Sequence, residues 1–173
     1  MAGLEPVGTR NLDRYGDAPL PWSRAQEALE KSNTADVTWF LGAVDPDGTP
    51  HAAGVGALWL DDELYFTSGS ETRKSRDLAA NPGCTVSVRL EGIDLVFEGR
   101  AIRETDPATL RRAAERYREG GWPVEVAADA FTAPFSAPSA GPPPWQLYRV
   151  GFESVFGVAT TDPQGATRWT FDR

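Results

Sequence analysis

The sequence predicts a mainly β domain with flanking helices, and three observations support that class. About seven segments rich in aromatic and β-branched residues lie between Val37 and Phe171, and such residues favour extended backbone. Most of them are separated by short clusters of Asp, Pro and Gly, the residues that close tight turns. At 173 residues, 40% hydrophobic and 24% charged, the chain has the composition of one globular domain with a sizeable core.

Residues 1–22 are rich in Gly, Pro and Asp, lack periodicity and read as an irregular arm, which leaves 23–173 as the domain. Ser23 is placed as the N-cap of a helix to about Lys31, with Ala25, Ala28 and Leu29 as its apolar stripe. Residues 37–44 read as a buried strand, and Asp45-Pro46-Asp47-Gly48 turns it into a second strand over 50–60. Asp61-Asp62-Glu63 then turns into a third strand from Leu64. Gly69 and Ser70 break that strand, and a short helix follows, stopped before Pro82. Residues 84–90 alternate with period two, Glu91-Gly92 makes a turn, and 93–104 form a long strand in which glycine marks a bulge or a barrel corner. Thr105-Asp106-Pro107 starts a helix with proline at its first position, continuing through Tyr117 to Gly120-Gly121. Residues 121–145 form a Pro-rich insertion with a short helix expected over 124–131 and the character of a lid. Residues 147–160 and 167–171 form a last strand pair around Asp162-Pro163-Gln164-Gly165.

A net charge of −8 argues against nucleic-acid or anionic-membrane partners, both of which need a basic footprint. Cys84 and His51 are the only cysteine and histidine. This excludes a disulfide framework, a C-x-x-C redox pair and a His-rich metal centre. Any Ser-His or Cys-His nucleophile pair would have to run through His51. No apolar run has transmembrane length, and the first residues, with Glu5, Pro6 and Asp13, form no signal-peptide core. The expected compartment is therefore the cytoplasm.

One charge pattern conflicts with local stability. Arg73, Lys74 and Arg76 crowd the first turns of a helix, where the macrodipole favours acidic side chains. A bound phosphate would resolve the conflict, because free helix N–H groups, hydroxyls of Thr67, Ser68, Ser70 and Thr72, and the cations could converge on it. A solvated cationic helix is the plainer alternative. The segment is neither a Walker A loop, for which it lacks the second glycine, nor a G-x-G-x-x-G fingerprint.

Strand, tight turn, strand, tight turn, then Tyr65-Phe66-Thr67-Ser68 feeding a helix with Arg73-Lys74-Ser75-Arg76-Asp77-Leu78 and ending in Asn81-Pro82: this order resembles the pyridoxamine 5'-phosphate oxidase-like, FMN-binding split-barrel superfamily. The likeness covers about 37–104 and returns at 147–171. It implies a six-stranded Greek-key split barrel with flanking helices that forms a homodimer with two cofactor sites at the interface. It further implies that Arg73, Lys74 and Arg76 hold the cofactor phosphate while Thr67 and Ser68 bond it from the strand end. Ala53, Gly54 and Val55 would lie along an isoalloxazine-type ring and offer it backbone groups, and Arg168 and Trp169 would reach in from the partner chain. No Arg-x-His element follows for a substrate phosphate, so the chain is more similar to the reductases that use FMN or the deazaflavin coenzyme F420, with a slight lean to F420.

The implied function is a flavin- or deazaflavin-dependent oxidoreductase passing hydride to a small electron-poor molecule, in a pocket lined by aromatics such as Trp59, Trp122 or Trp145. The cofactor would supply the chemistry, so no catalytic acid–base dyad and no metal is expected. A carrier that holds the same ligand without turnover needs the same phosphate grip, and a structural barrel with an empty pocket is the third reading. A haem site would require His51 or Tyr65 as axial ligand. His51 itself is expected to be exposed beside its hairpin, and Cys84 to be a small buried hydrophobe.

Overall fold

The computed structural model describes residues 3–138 and 140–173. Its elements are β1 (Gly8–Asn11), α1 (Trp22–Glu30), β2 (Trp39–Val44), β3 (Pro50–Val55), β4 (Ala57–Leu60), β5 (Glu63–Gly69), α2 (Arg73–Ala80), β6 (Gly83–Leu90), β7 (Ile93–Glu104), α3 (Pro107–Glu119), β8 (Glu125–Ala127), β9 (Ala130–Thr132), β10 (Trp145–Ala159) and β11 (Ala166–Thr170).

Ladders join β3 to β2, β2 to β6, β6 to β7, β7 to β10, β10 to β5 and β5 to β4, all antiparallel. Because β4 continues from β3 through Gly56 alone, the chain itself completes the circuit, and β3 and β4 count as one bent strand of a six-stranded Greek-key split barrel. The split falls on β10, whose second edge pairs with β5 over Trp145–Val150 and with β11 over Ser154–Val158.

Alternation in the sequence sets the inside of the barrel. Trp39, Leu41 and Ala43 of β2, Cys84, Val86 and Val88 of β6, and Ile93, Leu95 and Phe97 of β7 are all buried in one cluster. On β10 the inward parity changes from Val150 and Phe152 to Val155 and Ala159, because Glu153 is an extra residue where the ladder with β7 shifts register. The bulge expected around Gly99 thus lies on the facing strand; Gly99 is needed because a Cβ there would run into the Gly151 carbonyl. β5 does not alternate because both its faces are covered. Leu64 and Phe66 enter the barrel, and Tyr65 packs with Leu110, Ala114 and Tyr117 of α3.

Several expectations need correction. The arm is not irregular throughout, since β1 adds to the edge of β11. Helix α1 starts at Trp22 with Pro21 as its N-cap and no side-chain cap, so Ser23 is inside the helix. The strand expected over 50–60 breaks at Gly56. The helix expected over 124–131 is the hairpin β8–β9, with Ala128 at φ 54 in its turn. No helix among the described residues is long and apolar enough to cross a membrane.

Candidate functional site

Thr72 caps α2, its Oγ1 accepting from Ser75 N at 3.3 Å and donating to the Gly69 carbonyl at 2.8 Å. Ser68 Oγ lies 2.9 Å from Thr72 Oγ1 and 2.7 Å from Ser75 Oγ. Ser68 is wholly buried. The hydroxyls of Ser68 and Thr72 are therefore engaged with each other and with Ser75, and they brace the strand-to-helix turn rather than opening towards a ligand.

The three cations of α2 separate by helical position. Lys74 turns to the buried side with Ser75 and Leu78, and burial lowers the pKa of its ammonium from the usual lysine value. Arg73 stays half-exposed, its Nη2 donating to Asp45 Oδ2 at 3.3 Å and its Nε 3.6 Å from Asp77 Oδ2. Arg76 is exposed and turned back to donate to the Glu71 carbonyl at 2.6 Å. Arg73 and Lys74 thus share the first turn, and Arg76 is held apart from them.

That turn is fixed against the β2–β3 hairpin. Asp45 comes from the turn after β2, and His51, on β3, brings Nδ1 to 3.7 Å from Asp77 Oδ2. Both of these atoms are buried and neither has a hydrogen-bond partner among the described residues. His51 is accordingly a half-buried neighbour of α2 and not the exposed hairpin residue the sequence suggested. Asp77 could have been picked out as the i+4 partner of Arg73. Asp45 had no such signal, because turn aspartates are common for local reasons.

From His51, β3 runs away from α2 as an edge strand, paired with β2 alone. Its second edge therefore presents unpaired backbone N–H and C=O groups. Ala53 turns towards the barrel opposite Leu41, Val55 packs against the core, and Gly54 faces outwards opposite Phe40. A Cβ built on Gly54 would meet nothing within 4 Å, so the backbone there lies bare.

The far end of β3 borders a cavity of about 460 Å³, walled by Trp39, Gly54–Leu58, Tyr117 and Trp122 among others. Tyr117, on α3, donates from its hydroxyl to the Gly56 carbonyl at 2.8 Å, which also accepts from Thr67 N at 3.2 Å. Burial raises the Tyr117 pKa far above the tyrosine range, against a smaller opposing effect of a Thr67 hydrogen bond. Thr67 is thus tied into this wall at the barrel bend. Of the three tryptophans offered for a pocket, Trp122 lines the cavity, whereas Trp59 and Trp145 are core residues.

Arg168 and Trp169 part company. Arg168 lies on the outer sheet face, donating to Ser154 Oγ at 2.9 Å with its guanidinium 5.3 Å from the Phe156 ring centroid. Trp169 is fully buried, edge-on to Trp22 and donating from Nε1 to the Leu20 carbonyl. It fills its own chain's core and cannot reach into a partner's site. Tyr65 is likewise buried, with its pKa pushed up to about 12 by burial, and Cys84 is buried with its thiol raised to about 11. Among the described residues no cluster of His, Cys, Asp and Glu could hold a metal.

The sequence profile described as Pyridoxamine 5'-phosphate oxidase matches residues 23–159. The chain belongs to this family. A Burkholderia multivorans relative named pyridoxine/pyridoxamine 5'-phosphate oxidase is 29% identical over 163 residues, covering 81% of this chain and 76% of the relative. A heme-binding protein from Mycobacterium smegmatis superposes with TM-score 0.61 at 12% identity, over 86% of this chain and 58% of that one. PhzG from Burkholderia lata 383, solved in complex with tetrahydrophenazine-1-carboxylic acid, superposes with TM-score 0.52 at 17% identity, over 85% and 83%. These two structures share the fold with different ligands, so the fold does not choose the ligand. Membership of the pyridoxamine 5'-phosphate oxidase family supports flavin-related oxidoreductase chemistry in general terms.

Proposed function

We propose that the chain is an oxidoreductase that binds FMN or coenzyme F420 along β3 and delivers hydride to a small electron-poor molecule. The reading is supported above all by the junction of α2 with β3. There the Arg73–Asp45 and His51–Asp77 contacts set the cationic first turn of α2 against the start of a strand with a free backbone edge.

The residues present fit such a group at both ends. Lys74 is buried in the first turn of α2 and adds a second cation beside Arg73 for a phosphate. His51 Nδ1 and Asp77 Oδ2, buried and 3.7 Å apart, hold the start of β3 against that turn. A strand rises about 3.3 Å per residue, so β3 extends roughly 13 Å from His51 to Val55. Its free edge leads from the charged end to Gly54, where the missing side chain lets a flat ring approach. When bound, the cofactor supplies hydride chemistry; the protein's part is to bind it, orient it and exclude water.

The second part of the proposal is a homodimer. The register puts Gly54, Phe40, Ser87, Val96, Phe156 and Arg168 in one row across the outer sheet face. Phe40 is 49% exposed and Val158, in the neighbouring row, 50%. A second copy on this face would cover that apolar surface and bring Arg168 beside the other chain's β3 region. Reconstitution with FMN and separately with F420, followed by gel filtration and anaerobic turnover with electron-poor acceptors, tests the reading. Comigration of one cofactor with a dimer that turns over is expected; comigration without turnover would make the protein a carrier, and comigration of neither would end the cofactor assignment.

A further inference from the structure

We infer that the cavity beyond Val55 takes an uncharged, flat apolar molecule and refuses phosphorylated or carboxylated ones. Its use as the seat of the hydride acceptor rests on the cofactor reading above; the ligand chemistry of the cavity does not.

The inference follows from where the polar groups of the wall are already engaged. Asn33 is turned to β4, donating from Nδ2 to the Trp59 carbonyl at 2.8 Å and accepting the Trp59 N–H at 3.0 Å through Oδ1. Tyr117 spends its hydroxyl on Gly56. Arg116 is the only charged side chain among the described lining residues, and its Nη1 is 2.8 Å from Glu119 Oε2. Thr34 and Thr38 are exposed. The larger side chains that remain are apolar, namely Val37, Trp39, Val55, Ala57, Leu58 and the ring of Trp122, beside the exposed threonines and the Gly54 backbone.

A ligand phosphate or carboxylate entering this cavity would lose water and meet no uncompensated cation, which is unfavourable. An apolar ring would instead gain by burial against the walls. Tyr117 and Trp122 meet edge to face at 5.0 Å, giving a fixed aromatic corner against which such a ring can pack. The volume of about 460 Å³ is in the range of small-molecule pockets. The contrast with α2 is direct: the cationic turn that suits an anion lies at the opposite end of β3. The substrate named for the curated relatives is a phosphate ester, so the inference separates this chain from them.

The test uses the whole chain and the uncharged naphthalene dye prodan, followed by fluorescence and competed with 2-acetylnaphthalene, naphthalene-2-sulfonate and pyridoxamine 5'-phosphate. The uncharged competitor is expected to displace the dye at least about tenfold more effectively than the sulfonate, with no displacement by pyridoxamine 5'-phosphate. Trp122→Ala should weaken dye binding roughly tenfold. Thr38→Arg, at an exposed position that should not affect folding, should improve the sulfonate as a competitor. Saturating FMN or F420 should leave the dye bound. If neither cofactor binds while the preference for uncharged rings persists, the inference stands and the cofactor reading falls. It is overturned if the sulfonate or pyridoxamine 5'-phosphate competes as well as 2-acetylnaphthalene, if cofactor expels the dye one for one, or if Trp122→Ala leaves dye binding unchanged and Thr38→Arg leaves the sulfonate no better as a competitor.

Discussion

At its His51 end β3 meets Asp45, Asp77 and the first turn of α2 with Arg73 and a buried Lys74; at its Val55 end it meets Trp39, Tyr117 and Trp122. The first region carries buried polar atoms with no hydrogen-bond partner among the described residues. In the second, the polar side chains of the inner wall are satisfied within the protein. Cations and buried polar groups at one end and mostly apolar side chains at the other are what a ligand with an anionic tail and an apolar head would require. Within the chain, Asp45 and Asp77 facing Arg73 offset part of the conflict between the cations and the helix dipole.

The largest break in this comparison comes from removing charge at α2. Arg73→Ala and Lys74→Met should each weaken FMN or F420 binding by about 1.5–3 kcal/mol, roughly 10- to 150-fold by titration. Arg73→Ala should also lower the melting temperature, with or without a ligand, since it leaves the buried Asp77 without its guanidinium. Next is Gly54→Val, which adds a side chain where nothing lies within 4 Å. Cofactor affinity should fall at least about tenfold while the melting temperature stays within about 2 °C.

Phe40→Arg tests the proposed outer-face dimer: sedimentation velocity should report a dimer for the unchanged chain and a monomer for the variant. Tyr117→Phe sharpens the apolar end: loss of the bond to Gly56 should cost about 1 kcal/mol, or about 2–4 °C in melting temperature. Affinity at the α2 end should be unmoved.

Alkali gives the smallest effect near neutrality. Cys84 and Tyr65 hold their protons in the fold to about 11 and about 12, above their ordinary values of 9.0 and 10.0. The unfolded chain releases them first, so stability should be level to about pH 9 and fall as pH rises beyond it. Cys84→Ala should remove the first part of that decline.

The sequence made the barrel legible wherever one face alone is buried, as in the alternation of β6 and the inward Ile93, Leu95 and Phe97 of β7. It was less legible where a tertiary partner decides. β1 has no apolar face and exists because β11 offers it an edge. β8 and β9 form a hairpin over a stretch whose small residues suggested a helix. At the site, the cationic turn could be read from spacing. The hydroxyl cluster of Ser68, Thr72 and Ser75 could not, because it depends on how α2 folds back on β5. Trp169 misled for a related reason: a tryptophan beside an arginine of the outer sheet face points to the opposite face, into the core.

The most direct measurement compares each cofactor with its phosphate-free counterpart, FMN against riboflavin and F420 against its deazaflavin riboside, by titration calorimetry on the unchanged chain and on Arg73→Ala. For one pair the phosphate should improve affinity about 100-fold or more on the unchanged chain, and by much less on the variant. Equal affinity with and without phosphate, or an advantage that survives Arg73→Ala undiminished, would contradict the assignment of α2 as the phosphate grip.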